Sequence, residues 1–192
     1  MKFWIKDRKQ KHLILFWSYA ALFLILSFIY DTKIILFFYS IRNQILASIM
    51  QTITSIYAVL IVLALAAIIS WKSRQQLLLA LSLITSLFLS AFLKYIIARP
   101  RPQVEHLASA GGSAFPSIHA AVLFAMIPFI NKRYFSMKKM LIPIITLITA
   151  SRLYLGVHYL SDLIFGAALG YTISYIYIYY IGSRKAQNSE KN

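Results

Sequence analysis

The sequence contains no cysteine, and only 5 acidic residues, 6 glycines and 5 prolines among its 192 positions. Without cysteine there is no disulfide framework, no thiolate metal site and no thiol nucleophile. No internal repeat, low-complexity linker or shift in composition marks a second domain, so residues 1–192 read as a single domain. The few carboxylates stand against 20 lysines and arginines, which gives a formal net charge of +15 and a pI near 10.1. That balance raises nucleic-acid binding as a function, and the location of the charges decides whether it stands. What the chain has in abundance is apolar side chains, 60% of its residues. The usual share is ~45–50%, so a disordered chain is excluded and a soluble globule is disfavoured.

A bilayer core of ~30 Å takes about 20 apolar residues in a helix. Residues 13–30, 53–71, 77–97, 140–157 and 163–181 meet that length, and 115–130 is a shorter apolar stretch. The first follows a basic stretch, as a secretory signal does. It ends in Ser27-Phe28-Ile29-Tyr30, with no small-residue cleavage site, and is expected to stay as an anchor. Residues 34–50 carry Phe38, Ile41, Ile45 and Ile49 at helical spacing and Arg42, Asn43 and Gln44 on other faces, the pattern of a helix lying along the interface. The expected fold is therefore all-α: a polytopic membrane bundle of six transmembrane helices with one short interfacial helix.

In that arrangement the basic residues sort by side. Lys2, Lys6, Arg8, Lys9 and Lys11 precede the first span, Lys72 and Arg74 lie between the second and third, and Lys132, Arg133, Lys138 and Lys139 between the fourth and fifth. Arg184, Lys185 and Lys191 follow the sixth, in a polar ten-residue tail expected to fray. The positive-inside rule places both termini in the cytoplasm of a multi-pass protein of the cell (inner) membrane. Topology thus accounts for most of the charge, and nucleic acid drops out as a partner. The tyrosines at 171, 175, 177, 179 and 180 read as an aromatic belt at the cytoplasmic end. Gly166 and Gly170, four apart beside Ala167 and Ala168, permit a close helix crossing.

The remaining charges gather on the other side. Lys94, Arg152 and Asp162 fall in or beside apolar spans, where a charge at the helix centre costs roughly 2.5–3.5 kcal/mol on insertion scales. Arg99, Arg101, His106, His119 and His158 lie toward the same periplasmic or exterior face. Singly, each has a plain structural explanation: a snorkelling lysine, an Arg152–Asp162 ion pair, a satisfied core histidine. Together they form a set suited to phosphoryl transfer, with cations for the equatorial oxygens, one imidazole to attack, another as acid and base, and a carboxylate to orient an imidazole. His158 and Asp162 are four apart, one turn if the backbone is helical. Ser117 suits an N-cap for the span that follows Pro116, whose first turn offers free N–H groups to a phosphate. Arg99-Pro100-Arg101-Pro102 should end the preceding helix and hold two guanidinium groups at the membrane edge.

Three segments resemble the type 2 phosphatidic acid phosphatase family, the lipid phosphate phosphatases related to vanadium haloperoxidases. They are Lys94, six residues, then Arg101-Pro102; Pro116-Ser117-Ile118-His119; and Ser151-Arg152, five residues, His158, three residues, Asp162. One position departs from the pattern, Ile118 where the family usually has glycine; the backbone N–H is retained. The resemblance implies that His158 is the nucleophile that becomes phosphohistidine, Asp162 orients it, and His119 is the acid and base. It implies that Lys94, Arg101, Ser117, the Ile118 amide and Arg152 bind the phosphoryl oxygens, with no metal and no cofactor. The expected activity is hydrolysis of a membrane lipid phosphate or diphosphate at the non-cytoplasmic face. Undecaprenyl diphosphate, phosphatidylglycerophosphate, phosphatidate and a lipid A phosphate are the candidates, and the oligomeric state is open. Arg99 lies outside the motif and reads as an interfacial anchor or a substrate contact. Glu105 and His106 read as a solvated loop or as residues that select a head group, and residues 109–113, with Gly111 and Gly112, as a linker or a lid. Two other classes remain: a metal enzyme using His119, His158 and a carboxylate, which the surrounding cations disfavour, and a lipid or anion transporter, for which a second histidine and a carboxylate-backed imidazole are superfluous.

Overall fold

The computed structural model describes residues 2–71, 75–130 and 135–182. The polar tail and Lys72, Arg74, Lys132, Arg133, Arg184, Lys185 and Lys191 of the basic side lie outside the described residues. All regular structure among the described residues is helical: α1 (Lys2–Ser40), α2 (Gln44–Ile53), α3 (Ile56–Trp71), α4 (Gln76–Ile97), α5 (Ile118–Ala125), α6 (Phe135–Tyr154) and α7 (Leu160–Ile176). A 3-10 turn, Ile127–Phe129, extends α5, and a π-helical turn, Tyr177–Gly182, extends α7.

No glycine or proline occurs before Pro100, so nothing in the backbone chemistry stops α1 at Tyr30. The helix runs on to Ser40, which corrects the expected interfacial helix at 34–50: its first part belongs to α1. The break comes at residues 41–43, where polar side chains supply other partners. Asn43 Oδ1 accepts the Leu46 N–H at 2.8 Å and caps α2, while Arg42 turns away to donate to Tyr154 O and Glu105 O. The expected second span, 53–71, is close to α3; Thr54-Ser55 part it from α2, and the α2–α3 pair is bent by 43°. Leu13–Ser40 and Gln76–Ile97 are each long and apolar enough to cross a bilayer, and the bent α2–α3 pair makes a third candidate; 118–129 is a shorter apolar helix.

The outward faces are apolar, with Phe23, Ile29, Ile61, Phe88 and Phe92 exposed, while polar and small side chains point inward. Ser82, Ser86 and Ser90 repeat every four residues on α4 and are fully buried. Helix α5 sits at the centre, with Ala120, Ala121, Leu123 and Ala125 buried, and packs most closely on α7. The two glycines of α7 make that crossing: a Cβ at Gly170 would lie 1.8 Å from Ala121 O, and one at Gly166 2.5 Å from Ser117 O. The main apolar cluster, including Val62, Leu79, Met126, Phe129 and Ile145, fills the end of the bundle near the start of α4. In the aromatic cluster beyond α7, Tyr177 Oη meets Thr85 Oγ1 at 3.0 Å, which ties α7 to α4. The other end, where α4 and α6 finish and α5 and α7 begin, is left for polar groups.

Candidate active site

Each helix end is set by local chemistry. Ahead of the Arg99–Pro102 run, α4 ends at Ala98, whose positive φ of 48° lets its N–H reach Lys94 O at 3.1 Å. Ser117 caps α5 as expected, its side chain accepting the Ala120 N–H at 3.5 Å, and its own N–H donates to Asp162 O at 3.1 Å. Ala114 N–H to Arg99 O at 2.8 Å and Leu107 N–H to Leu155 O at 3.0 Å fold the 98–117 loop over the helix ends. Gly156, with φ 78°, lies under that loop; a Cβ there would fall 2.3 Å from the Arg42 guanidinium and 2.9 Å from Glu105 O.

His158 and Asp162 do come together, by a route other than a helical turn. His158 lies in the loop before α7, and Asp162 sits in the first turn of that helix. Asp162 Oδ2 reaches back to accept the Tyr159 N–H at 2.8 Å and stands 3.5 Å from His158 Nδ1. Both residues are buried. Burial favours the uncharged imidazole and lowers the pKa of His158, against the opposing pull of Asp162. Its ground state is therefore neutral, with Nδ1 toward the carboxylate and Nε2 on the far edge of the ring.

Around this pair the structure gathers the expected cations. Lys94 Nζ donates to Ser113 O at 2.5 Å and Ala114 O at 3.2 Å. Arg101 donates to Gly112 O at 3.0 Å, Gly111 O at 2.7 Å and Val157 O at 2.5 Å. Arg152, 6% exposed, reaches Thr54 Oγ1 at 3.5 Å, and its Nε has no partner. Lys94 and Arg152 lie within electrostatic reach of His119 and His158, and Arg101 within reach of Lys94 and Arg152. The glycines at 111 and 112 thus serve as acceptors for Arg101. His106 bonds Pro102 O at 3.0 Å in the 98–117 loop, and Glu105 contributes its carbonyl to Arg42.

An Arg152–Asp162 pair does not form. Asp162 Oδ1 instead takes Arg99 Nη1 at 2.7 Å, and Arg99 Nη2 binds Asp31 Oδ2 of α1 at 2.8 Å. Arg99 thus bridges two buried carboxylates. The sequence reading does not reach Asp31, because the first apolar stretch ends at Tyr30, one residue short of it. A lone carboxylate in an apolar helix is the signal that could have found it. With both carboxylates held by Arg99, Lys94, Arg101 and Arg152 have only neutral oxygens as partners among the described residues. Three cations held this close together, with no carboxylate hydrogen-bonded to them, attract an anion.

Helix α5 brings a cavity of about 340 Å³ to the same place, lined by Ile56, Val59, Leu83, Leu87, Ile118 and His119. It is almost wholly apolar and lies between α3, α4 and α5. A larger apolar cavity of about 530 Å³, between α1, α5 and α7, includes none of the site residues.

The bundle is all-helical with an apolar outer face, and one end carries a buried histidine that faces a carboxylate beside three cations, a combination found together in membrane phosphatases. The chain belongs to the PAP2 superfamily, whose family model matches residues 75–186. No curated protein gives a significant sequence match. The fold is similar to the crystal structure of a transmembrane PAP2-type phosphatidylglycerolphosphate phosphatase from Bacillus subtilis, at TM-score 0.68 and 25% identity, over 86% of this chain and 96% of that one. It is also similar to LpxE from Aquifex aeolicus, at TM-score 0.66 and 22% identity, over 78% of this chain and 95% of that one.

Proposed function

We propose that the protein hydrolyses a membrane lipid phosphate or diphosphate through a phosphohistidine, without a metal, at the non-cytoplasmic face. The observation that carries this reading is the group of three cations whose hydrogen-bond partners are neutral oxygens, beside a buried imidazole that faces the Asp162 carboxylate at 3.5 Å. Asp162 faces Nδ1, so the lone pair on His158 Nε2 attacks phosphorus. The bond from phosphorus to the leaving oxygen breaks, and His119 gives that oxygen its proton. His119 then takes a proton from water, whose oxygen attacks phosphorus as the N–P bond breaks, releasing inorganic phosphate and free His158. Lys94, Arg101, Arg152, the Ser117 hydroxyl and the Ile118 amide hold the phosphoryl oxygens, and their attraction grows as charge develops on them. A divalent metal is disfavoured beside three cations.

A lipid leaving group is supported by the apolar cavity that ends on His119, where a hydrocarbon chain fits and a polar leaving group does not. The similarity to the Bacillus phosphatase supports the same class of substrate, with undecaprenyl diphosphate, phosphatidylglycerophosphate, phosphatidate and a lipid A phosphate as the panel to test. Phosphate release from that panel in detergent with chelator present should be measurable for at least one lipid and abolished in a folded His158→Ala protein. Acid quench during turnover should trap labelled phosphate on the chain in the native protein alone. Turnover retained without His158 would overturn the nucleophile, and binding of every lipid without release would favour a carrier.

A further inference from the structure

The active-site end holds a buried polar chain that the proposed chemistry does not use. Asp31 lies in α1 and is 2% exposed; its Oδ1 accepts the Ser161 N–H at 3.1 Å, and its Oδ2 accepts the Ser161 hydroxyl and, at 2.8 Å, Arg99 Nη2. Arg99 Nη1 donates to Ser161 Oγ at 2.6 Å and to Asp162 Oδ1 at 2.7 Å. The guanidinium is held between two rings, its Cζ 4.8 Å from the centre of Phe28 and 4.2 Å from that of Tyr159. Arg99 comes from the loop after α4, Ser161 and Asp162 from the first turn of α7, and Phe28 and Asp31 from α1. Two of the chain's five acidic residues are spent on this one cluster.

The cluster leaves Asp162 little freedom. One oxygen is fixed by Arg99, and the other by the Tyr159 N–H, on the side of His158. Arg99 in turn has its second arm committed to Asp31. Without Asp31 the guanidinium would carry a single carboxylate and could rotate about that bond, and Ser161 would lose the acceptor for both its N–H and its hydroxyl. We infer that Asp31 and Arg99 are positioning residues, which set the imidazole of His158 through Asp162 although neither touches the phosphoryl group. The first helix is thereby part of the catalytic apparatus.

This rests on the phosphohistidine reading, so one arm of the test is independent of turnover. In 15N spectra of the imidazoles in detergent, with His158 assigned by its loss in His158→Ala, the native protein should show the proton on Nδ1 and a bare Nε2. Asp31→Asn keeps the shape and one acceptor oxygen; it should mix in the other tautomer. In the kinetic arm, kcat for dioctanoyl phosphatidate, or for whichever panel lipid turns over, should fall about tenfold in Asp31→Asn with KM within twofold. Arg99→Ala should lose more and recover partly in methylguanidinium, whereas Arg99→Lys, unable to bridge two carboxylates, should not regain native kcat. Native kcat and tautomer in Asp31→Asn would overturn the inference. So would a fall in kcat with the tautomer unchanged, or a rise in KM alone. Should Asp31→Asn not fold, the methylguanidinium arm decides, and absence of rescue overturns the inference. If the native protein releases no phosphate from any lipid, the phosphatase reading fails while the tautomer still decides the role of Asp31.

Discussion

Asp162 joins two systems, the Arg99 bridge on one oxygen and His158 on the other. At this scale the sequence is legible in part. Charges in or beside apolar spans, and the family pattern they resemble, name Lys94, Arg101, Ser117, His119, Arg152, His158 and Asp162. That pattern does not name Asp31, whose partners Arg99 and Ser161 lie 68 and 130 positions away and leave no local signature. Only the oddity of a carboxylate in an apolar helix marks it. The i, i+4 spacing of His158 and Asp162 brings the right pair together for the wrong reason, a side chain reaching back from the first turn of α7. The burial that lowers the pKa of His158 has a kinetic consequence. The attacking form is neutral, so attack by His158 is lost as pH falls through that lowered value. The acid limb of kcat/KM should therefore lie below ~6.5, the ordinary imidazole value. A limb above that value would show that Asp162, not desolvation, dominates the site.

Elements are harder to read than residues. Hydropathy locates the apolar stretches but not their breaks, since α1 continues past Tyr30 and stops where Arg42 and Asn43 find partners 112 and 111 positions away in Tyr154. The α5–α7 crossing, by contrast, is foreshadowed by Gly166 and Gly170. Ala at Gly170 would gain helix propensity, worth up to ~1 kcal/mol. The added Cβ would sit 1.8 Å from a carbonyl oxygen, a clash that needs a helix to move, and overpacking of that kind costs about 1–3 kcal/mol. The clash wins. Gly170→Ala should lower the thermal midpoint in detergent, and more than Gly166→Ala, whose Cβ would meet its nearest atom at 2.5 Å. Equal midpoints for the two variants and the native protein would mean that α7 can shift freely on α5.

For the whole molecule, the proposed orientation can be tested directly because the chain has no cysteine of its own. Ser109→Cys, in the exposed outer loop, should react with an impermeant thiol reagent on intact cells. Gln75→Cys, between α3 and α4, should react only after permeabilisation; the reverse pattern would turn the site to the cytoplasm. The family model begins at residue 75, so Phe28 and Asp31 lie outside the part of the chain it matches, and nothing in that match points to α1. Their partners also have an order in time. A chain is made from its N-terminus, and α1 enters the bilayer long before Arg99 and Ser161 exist. Until α4 has emerged, Asp31 has no cation, and until α7 begins it has no hydroxyl. A truncated product ending before Arg99 would keep an unpaired carboxylate in an apolar helix, the kind of flaw by which membrane quality control can tell an unfinished chain from a finished one.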